Sequence, residues 1–130
     1  MIQTGERFPK SARLRKRRQF LSVQRSRYRI VTQHFIVYAR RARPSALQIG
    51  ITVSRKVGKA HVRNRVKRLV RESFRRNQDR LPAGMQVVFV ARHGRGEATL
   101  EQVTDQLTSS IMKLRKRLEH QPRSGRGKSC

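Results

Sequence analysis

The residues from Lys56 to Arg76 concentrate the side chains best suited to binding a polyanion. Their sequence is KVGKAHVRNRVKRLVRESFRR, and an asparagine stands between two arginines at Arg63-Asn64-Arg65. Arginine makes paired hydrogen bonds with phosphate. An asparagine amide can both donate and accept hydrogen bonds at a base edge or a ribose 2′-hydroxyl. These residue types therefore favour contact with RNA.

Helical spacing predicts that these charges are held in fixed positions. From about Val62 to Asn77, apolar and small residues recur on one side of a predicted helix, which would anchor it to a sheet. They are Val62, Val66, Leu69, Val70, Ser73 and Phe74. Basic residues repeat every four positions on another side, about 6 Å apart, with Asn64 and Arg68 beside them. This row is Arg63, Lys67, Arg71 and Arg75. We expect Glu72 to pair with Arg68.

The overall charge supports the same interpretation. The chain has 130 residues, with 33 lysines and arginines against 7 acidic residues, giving a net charge of +26. A basic helix face is usually only a solvated surface, but acids that could relieve the repulsion are scarce here. The chain contains no apolar run of about 18 residues to span a membrane. An anionic membrane surface is therefore a weaker candidate partner than nucleic acid.

The N-terminal segment and the cysteine content predict a cytoplasmic protein. The segment MIQTGERFPKSARLRKRRQF lacks the apolar stretch of a secretory signal. The single cysteine, Cys130, leaves no internal disulfide and no cysteine-based zinc site.

The residues do not predict catalysis or metal binding by the chain itself. A two-metal nuclease needs clustered carboxylates. The acids are scattered along the sequence, and Glu101 and Asp105, one helical turn apart, are better explained by the dipole of the last helix. The four histidines show no metal-ligand spacing. We therefore expect no catalytic residue and no metal site in the protein.

A strand at HFIVYARR offers a second candidate surface. Ile36 and Tyr38 share one face, and Phe35 and Val37 share the other. One face must pack on the core, and the other could stack unpaired bases together with Phe20. Aromatic residues in strands are more often part of the core, so this surface is the weaker prediction.

The remaining elements predict a small α+β domain at residues 1–118, followed by a disordered basic tail at 119–130. A basic helix is expected to begin near Ser11. ALQIGITVS is expected to form a hairpin with the preceding strand through ARPSA, and MQVVFVAR to be a central strand. Thr99 and Gln102 form a capping box for a last helix. This order predicts a small mixed sheet with the helices on one face.

The stretch GITVSRKVGKAHVRNRVKRLVRESFRR closely resembles the protein subunit of bacterial ribonuclease P. That family's pattern is approximately K-x-G-x-A-x-x-R-N-R-x-K-R-x-x-R-E-x-F. It is matched here by Lys56, Gly58, Ala60, Arg63, Asn64, Arg65, Lys67, Arg68, Arg71, Glu72 and Phe74. The likeness extends over about residues 7–118. It implies the order α-β-β-β-α-β-α, with a left-handed βαβ crossover.

The resemblance also implies a mechanism in which an RNA subunit binds Mg²⁺ and removes the 5′ leader of precursor tRNA. The protein would be a monomeric cofactor in this ribonucleoprotein endoribonuclease. By position, the residues implied in binding the catalytic RNA are Lys56, Arg63, Asn64, Arg65, Lys67, Arg68 and Arg71. Those implied in a cleft for the single-stranded leader are Phe20, Ile36, Tyr38, Lys67 and Arg71.

Two positions depart from that family. Gln24 stands where relatives often have an aromatic residue in the cleft, and Gln86 replaces a frequent acid. A non-enzymatic RNA-binding module of the ribosomal-protein kind is the alternative function, and an autonomous nuclease is a third. The ordered R-N-R pattern favours the ribonuclease P cofactor over the RNA-binding module, and the scattered acids argue against the autonomous nuclease.

Overall fold

The computed structural model describes residues 13–14, 16–42 and 47–120, which form three α-helices and four β-strands. The helices are α1 (Arg17–Gln24), α2 (Ala60–Asn77) and α3 (Leu100–Glu119). The strands are β1 (Arg29–Val31), β2 (Phe35–Arg41), β3 (Leu47–Thr52) and β4 (Met85–Ala91). Short 3-10 helices at Arg55–Val57 and Gln78–Arg80 flank α2. The predicted α+β class and the order α-β-β-β-α-β-α are confirmed.

One mixed sheet has the strand order β1-β2-β4-β3. β4 pairs antiparallel with β2 and parallel with β3, so its prediction as a central strand is confirmed. The predicted hairpin between β2 and β3 is wrong, because β4 lies between them. The residues of the expected turn, 43–46, lie outside the described part of the chain. β4 carries apolar residues on both faces and thus occupies the position that is buried from every side.

Alternate residues of the sheet face α2 and α3. Phe35 and Phe89 meet edge to face with ring centroids 5.8 Å apart, inside the core that α2 and α3 cover. Val70 and Phe74 of α2 join this core. From α3 the buried members are Val103, Leu107, Ile111, Leu114 and Leu118. The apolar face predicted for α2 is confirmed, and α3 buries an apolar face of its own against the same core.

The opposite face of the sheet is covered by α1, so the prediction that all helices pack on one face is wrong. Leu14 and Val23 pack against Val88 of β4, with Phe20 and Tyr38 beside them. β4 alternates into both layers with apolar residues, and burying its second face requires a second covering element. Gly50 of β3, the neighbour of Val88 in the sheet, lies on this face beneath α1.

The first helix is shorter than predicted. It begins at Arg17 after Lys16, whereas the segment at Arg13 and Leu14 is extended and bridges to Ile49 of β3. The Leu14 amide donates to the Ile49 carbonyl over 3.0 Å. The expected N-cap, Ser11, lies outside the described residues.

The capping box of α3 is confirmed. The Gln102 amide donates to Thr99 Oγ1 at 3.1 Å, and the Thr99 amide donates to Gln102 Oε1 at 3.0 Å. α3 continues to Glu119, and most of the predicted tail, residues 121–130, lies outside the described part of the chain. Within that part, no helix is both long and apolar enough to cross a membrane.

Candidate nucleic-acid interface

A tight turn sets the start of α2 and places its first basic residues. Arg55–Val57 forms one 3-10 turn, and Gly58 follows with φ of 155°. A Cβ at Gly58 would lie 3.1 Å from the Cβ of Val62, so glycine suits this position for space as well as conformation. Lys56 is exposed on the turn. The Gly58 carbonyl accepts a hydrogen bond from Arg63 Nε at 3.2 Å.

The two arginines of the R-N-R motif lie on different sides of α2, because successive helical residues are rotated by about 100°. Arg63 reaches back to Gly58, whereas Arg65 Nη2 donates to the carbonyl of Ala98, just before α3, at 3.2 Å. Asn64, between them, is exposed, as are Arg68 and Arg71. Each guanidinium has further N–H donors, so both arginines are oriented and can still bind phosphate.

Glu72 does not pair with Arg68, contrary to expectation. It accepts from Arg75 Nε at 3.0 Å and from Arg76 Nε at 2.8 Å, and Arg75 Nη2 also contacts it. The hydrogen bonds from Arg75, followed by those from Arg76, lower the pKa of Glu72 to about 2 against partial burial. An acid that precedes its basic partner on a helix has the favourable orientation. Because Glu72 is engaged by Arg75 and Arg76, the exposed Arg68 is available to bind a partner molecule.

A cleft of about 340 Å³ opens between α1, β3 and α2. Phe20 and Gln24 line it from α1, Thr52 from β3 and Lys67 from α2. The ring of Phe20 rests on Gly50. The structure thus brings together two of the predicted cleft residues, Phe20 and Lys67, although they come from separate helices.

The other predicted cleft residues occupy nearby but different positions. Ile36 and Tyr38 are half-buried on the sheet face that carries α1, and Tyr38 packs in the same cluster as Phe20. Phe35 points into the opposite core, as expected. Arg71 lies one turn beyond Lys67 on α2 and is not among the described residues that line the cleft.

Comparisons with known proteins agree with this arrangement of the R-N-R helix on a four-stranded sheet. The family model for ribonuclease P matches residues 8–115. The chain belongs to the ribonuclease P protein family. Its function is therefore that of the protein component of ribonuclease P in tRNA processing, the cofactor of a ribonucleoprotein endoribonuclease. The prediction of this family and function is confirmed.

Relatives and solved structures extend the likeness over most of the chain. The ribonuclease P protein component of Geotalea uraniireducens is 41% identical over 109 residues, covering 84% of this chain and 96% of the relative. The Thermotoga maritima ribonuclease P protein superposes with a TM-score of 0.69 at 33% identity, covering 78% of this chain and 96% of that one. The Staphylococcus aureus protein gives 0.70 at 27% identity, covering 82% and 97%.

The structure shows the surroundings of Gln24 and Gln86, the two residues that depart from the ribonuclease P pattern. Gln24 lines the cleft with an amide in place of a ring. Gln86 lies in a polar row that crosses three strands. Its Oε1 accepts from Arg40 Nε at 2.7 Å, and its Nε2 donates to Gln48 Oε1 at 2.8 Å. Sequence reasoning missed Arg40 and Gln48, because strand register, which aligns them with Gln86, is set by the tertiary fold.

Potential metal ligands are not clustered in the described part of this ribonuclease P protein. Within residues 13–14, 16–42 and 47–120, no group of three or more His, Cys, Asp or Glu side chains could hold a metal ion. The described side chains therefore offer no all-protein ligand set for Mg²⁺.

Proposed function

We propose that α2 and the turn before it dock this chain on the catalytic RNA of ribonuclease P. The residues that would make the contacts are Lys56, Arg63, Asn64, Arg65, Lys67, Arg68 and Arg71. The observation that carries the proposal is the divergence of Arg63 and Arg65, each held by a backbone carbonyl on its own side of α2. Such a helix presents oriented cations over a wide arc, which suits the curved backbone of a folded RNA.

The same proposal assigns the cleft between α1, β3 and α2 to the single-stranded 5′ leader of precursor tRNA. Phe20 supplies an aromatic face on which a base can stack, and Lys67 supplies a cation for the backbone. Ile36 and Tyr38 would extend the stacking surface along β2. Lys67 and Arg71 would join the leader path to the docking helix, since both project from α2.

In this proposal the protein positions the substrate and the RNA performs the chemistry. Mg²⁺ would be bound by the RNA subunit, in keeping with the lack of a three-residue ligand cluster among residues 13–14, 16–42 and 47–120. The ribonucleoprotein would hydrolyse one phosphodiester bond and release the leader, which leaves the mature 5′ end of the tRNA. The chain would act as a protein monomer within that complex.

A cleavage assay at low Mg²⁺ tests the proposal. Precursor tRNA is incubated with a bacterial ribonuclease P RNA alone, with this protein alone, and with both. We expect efficient removal of the leader only when both are present. Cleavage by the protein alone would place the catalyst in the chain and refute the proposal. Binding of the RNA without any gain in cleavage would refute the assignment of the leader cleft.

A further inference from the structure

A second cavity, of about 320 Å³, lies on the other side of α2 from the leader cleft. Its walls come from α2, the loop at residues 92–98, and the starts of β2 and α3. Its size falls at the lower end of small-ligand sites, which span about 300–1,000 Å³. Apart from Arg65, no residue proposed to bind the catalytic RNA or the leader lines this cavity.

The cavity combines an apolar interior with a cationic rim. Val62, Val66 and Leu69 of α2 line it, together with Phe35. Arg65, Arg92 and Arg95 also line it, and Arg95 is exposed. One acid, Glu97, is present as well. An occupant that suits such a site is flat and largely apolar, and is attached to a negatively charged group.

The rim is held in place at both ends of its loop. Arg92 Nη1 donates to the Thr32 carbonyl at 2.6 Å, and the Arg92 amide donates to the His34 carbonyl at 2.9 Å. At the other end, Arg65 donates to the carbonyl of Ala98. Between these anchors, Gly94 and Gly96 adopt φ of 74° and 75°, and a Cβ on either would meet only open space.

The wall of the cavity also contains a buried hydrogen-bond donor with no partner among the described residues. His34 is 6% exposed and lines the cavity. The His34 amide donates to Gln106 Oε1 at 2.9 Å, which leaves Gln106 Nε2 to donate to His34 Nδ1 at 2.8 Å. The neutral ring therefore carries its proton on Nε2, which is the atom without a partner.

An unpaired buried donor is costly, so an acceptor brought in by an occupant would be favoured there. Nε2 is covered in the unbound chain, so contact with it requires its neighbours to move. A carbonyl on a nucleobase is an acceptor of the right kind, because it lies on a flat ring with an apolar face.

We propose that this cavity receives one unpaired nucleobase of the RNA that docks on α2. The base would enter between α2 and the 92–98 loop, with its ring against Val66 and Leu69 and a carbonyl toward His34. Arg65 and Arg95 would hold the adjoining phosphates. The inference rests on the proposed docking of α2, and Arg65 is the residue that the two surfaces share.

Chemical probing of the base edges in the catalytic RNA tests the proposal. The full chain, A98L, R95A and R80A are each bound to a bacterial ribonuclease P RNA. A98L narrows the cavity from its rim, R95A removes an exposed cation, and R80A removes an exposed cation elsewhere. We expect one unpaired base to be protected by the wild type and by R80A, and to regain reactivity with A98L and R95A. The affinity of A98L for the RNA should fall about tenfold, equivalent to about 1.4 kcal/mol.

Phosphate footprints separate this inference from the docking proposal. If α2 protects RNA phosphates equally with every variant and the base protections are also equal, the cavity proposal is overturned while the docking proposal stands. If the wild type protects no phosphates, the docking proposal fails and this one fails with it. Thermal melting identifies a variant that is unfolded. If A98L is unfolded, the base protection measured with R95A, which is altered only at an exposed side chain, decides whether the cavity proposal holds.

A free nucleotide also combines a nucleobase with a phosphate, so it could occupy the same cavity. Uridine 5′-monophosphate is titrated into the full chain while the His34 ring resonances are followed by NMR. Shifts that are absent in A98L support a site for a nucleobase. Tight binding of the free nucleotide, combined with unchanged base protection in the RNA, would overturn the assignment to an RNA-borne base.

Discussion

Phe20 and Gly50 are in such close contact that no other residue fits at position 50 without a shift. A Cβ on Gly50 would lie 2.6 Å from Phe20 Cε2, 2.8 Å from Cζ and 3.1 Å from the Cβ of Leu14. Because Gly50 has no side chain, α1 can approach the sheet closely at this point. The position of the Phe20 ring in the cleft depends on that close approach.

Replacing Gly50 with alanine should displace α1. The added methyl group would push against the Phe20 ring and against Leu14, and overpacking of this kind costs about 1–3 kcal/mol. We expect the free energy of unfolding of G50A to fall by that amount in urea titrations. Affinity for leader-bearing substrate should fall with it.

The double variant G50A/F20L provides the control. Leucine lacks the ring atoms that an alanine at position 50 would meet, so F20L should cost less stability in the G50A background than in the wild type. Equal costs of F20L in the two backgrounds would contradict the close contact.

The two proposed surfaces should separate in binding assays. We expect R65A and R68A to weaken assembly with the catalytic RNA about tenfold or more, as loss of charge-assisted phosphate contacts predicts. Y38A should retain assembly and weaken binding of precursor tRNA relative to tRNA without a leader. K113A, which removes an exposed cation from α3, is the matched control for charge. Similar losses in both assays for R65A, R68A and Y38A would refute this division.

Assembly should depend steeply on salt. Each phosphate neutralised by the protein releases counterions, so the logarithm of the association constant should fall linearly with the logarithm of salt concentration. R68A should reduce the magnitude of that slope by about 1, since it removes one phosphate contact. Titrations of fluorescently labelled RNA from low to high salt measure the slope. An R68A slope equal to that of the wild type would exclude Arg68 from the interface.

The ion pairs of Glu72 predict a loss of stability in acid. Its pKa is lowered in the folded chain from 4.5 to about 2, so its contribution is complete above about pH 4.5 and is lost as the pH falls toward 2. We expect E72Q to lower the free energy of unfolding by roughly 0.5 kcal/mol at pH 7 and to have little effect near pH 2.

The two partners of Glu72 can be distinguished by NMR titration of its carboxyl group. Hydrogen bonding from Arg75 is the largest cause of the lowered pKa, ahead of Arg76. R75A should therefore raise the pKa of Glu72 more than R76A does. If R76A raised the pKa of Glu72 as much as R75A or more, Arg75 would not be its main partner.

Features that depend only on residues close together in the sequence could be recognised from the sequence. The apolar face of α2, the Thr99–Gln102 capping box and the uninterrupted apolar residues of β4 follow from local spacing, and all three are present in the fold. The R-N-R pattern is likewise a property of order along the chain, and it was sufficient to indicate the family. Local patterns succeed here because the period of a helix or strand determines which residues share a face.

Tertiary structure alone decided which elements meet. Alternation in β2 predicted two faces for that strand, but the separation of β2 from β3 by β4 arises from pairing across distant segments. The same holds for α1, whose position opposite α2 and α3 follows from the need to bury Val88 as well as Val87. The divergent contacts of Arg63 and Arg65 depend on Gly58 and Ala98, and helical spacing cannot show where those carbonyls lie. Long-range packing thus determined how the basic residues are oriented, after the sequence had determined that they would be clustered.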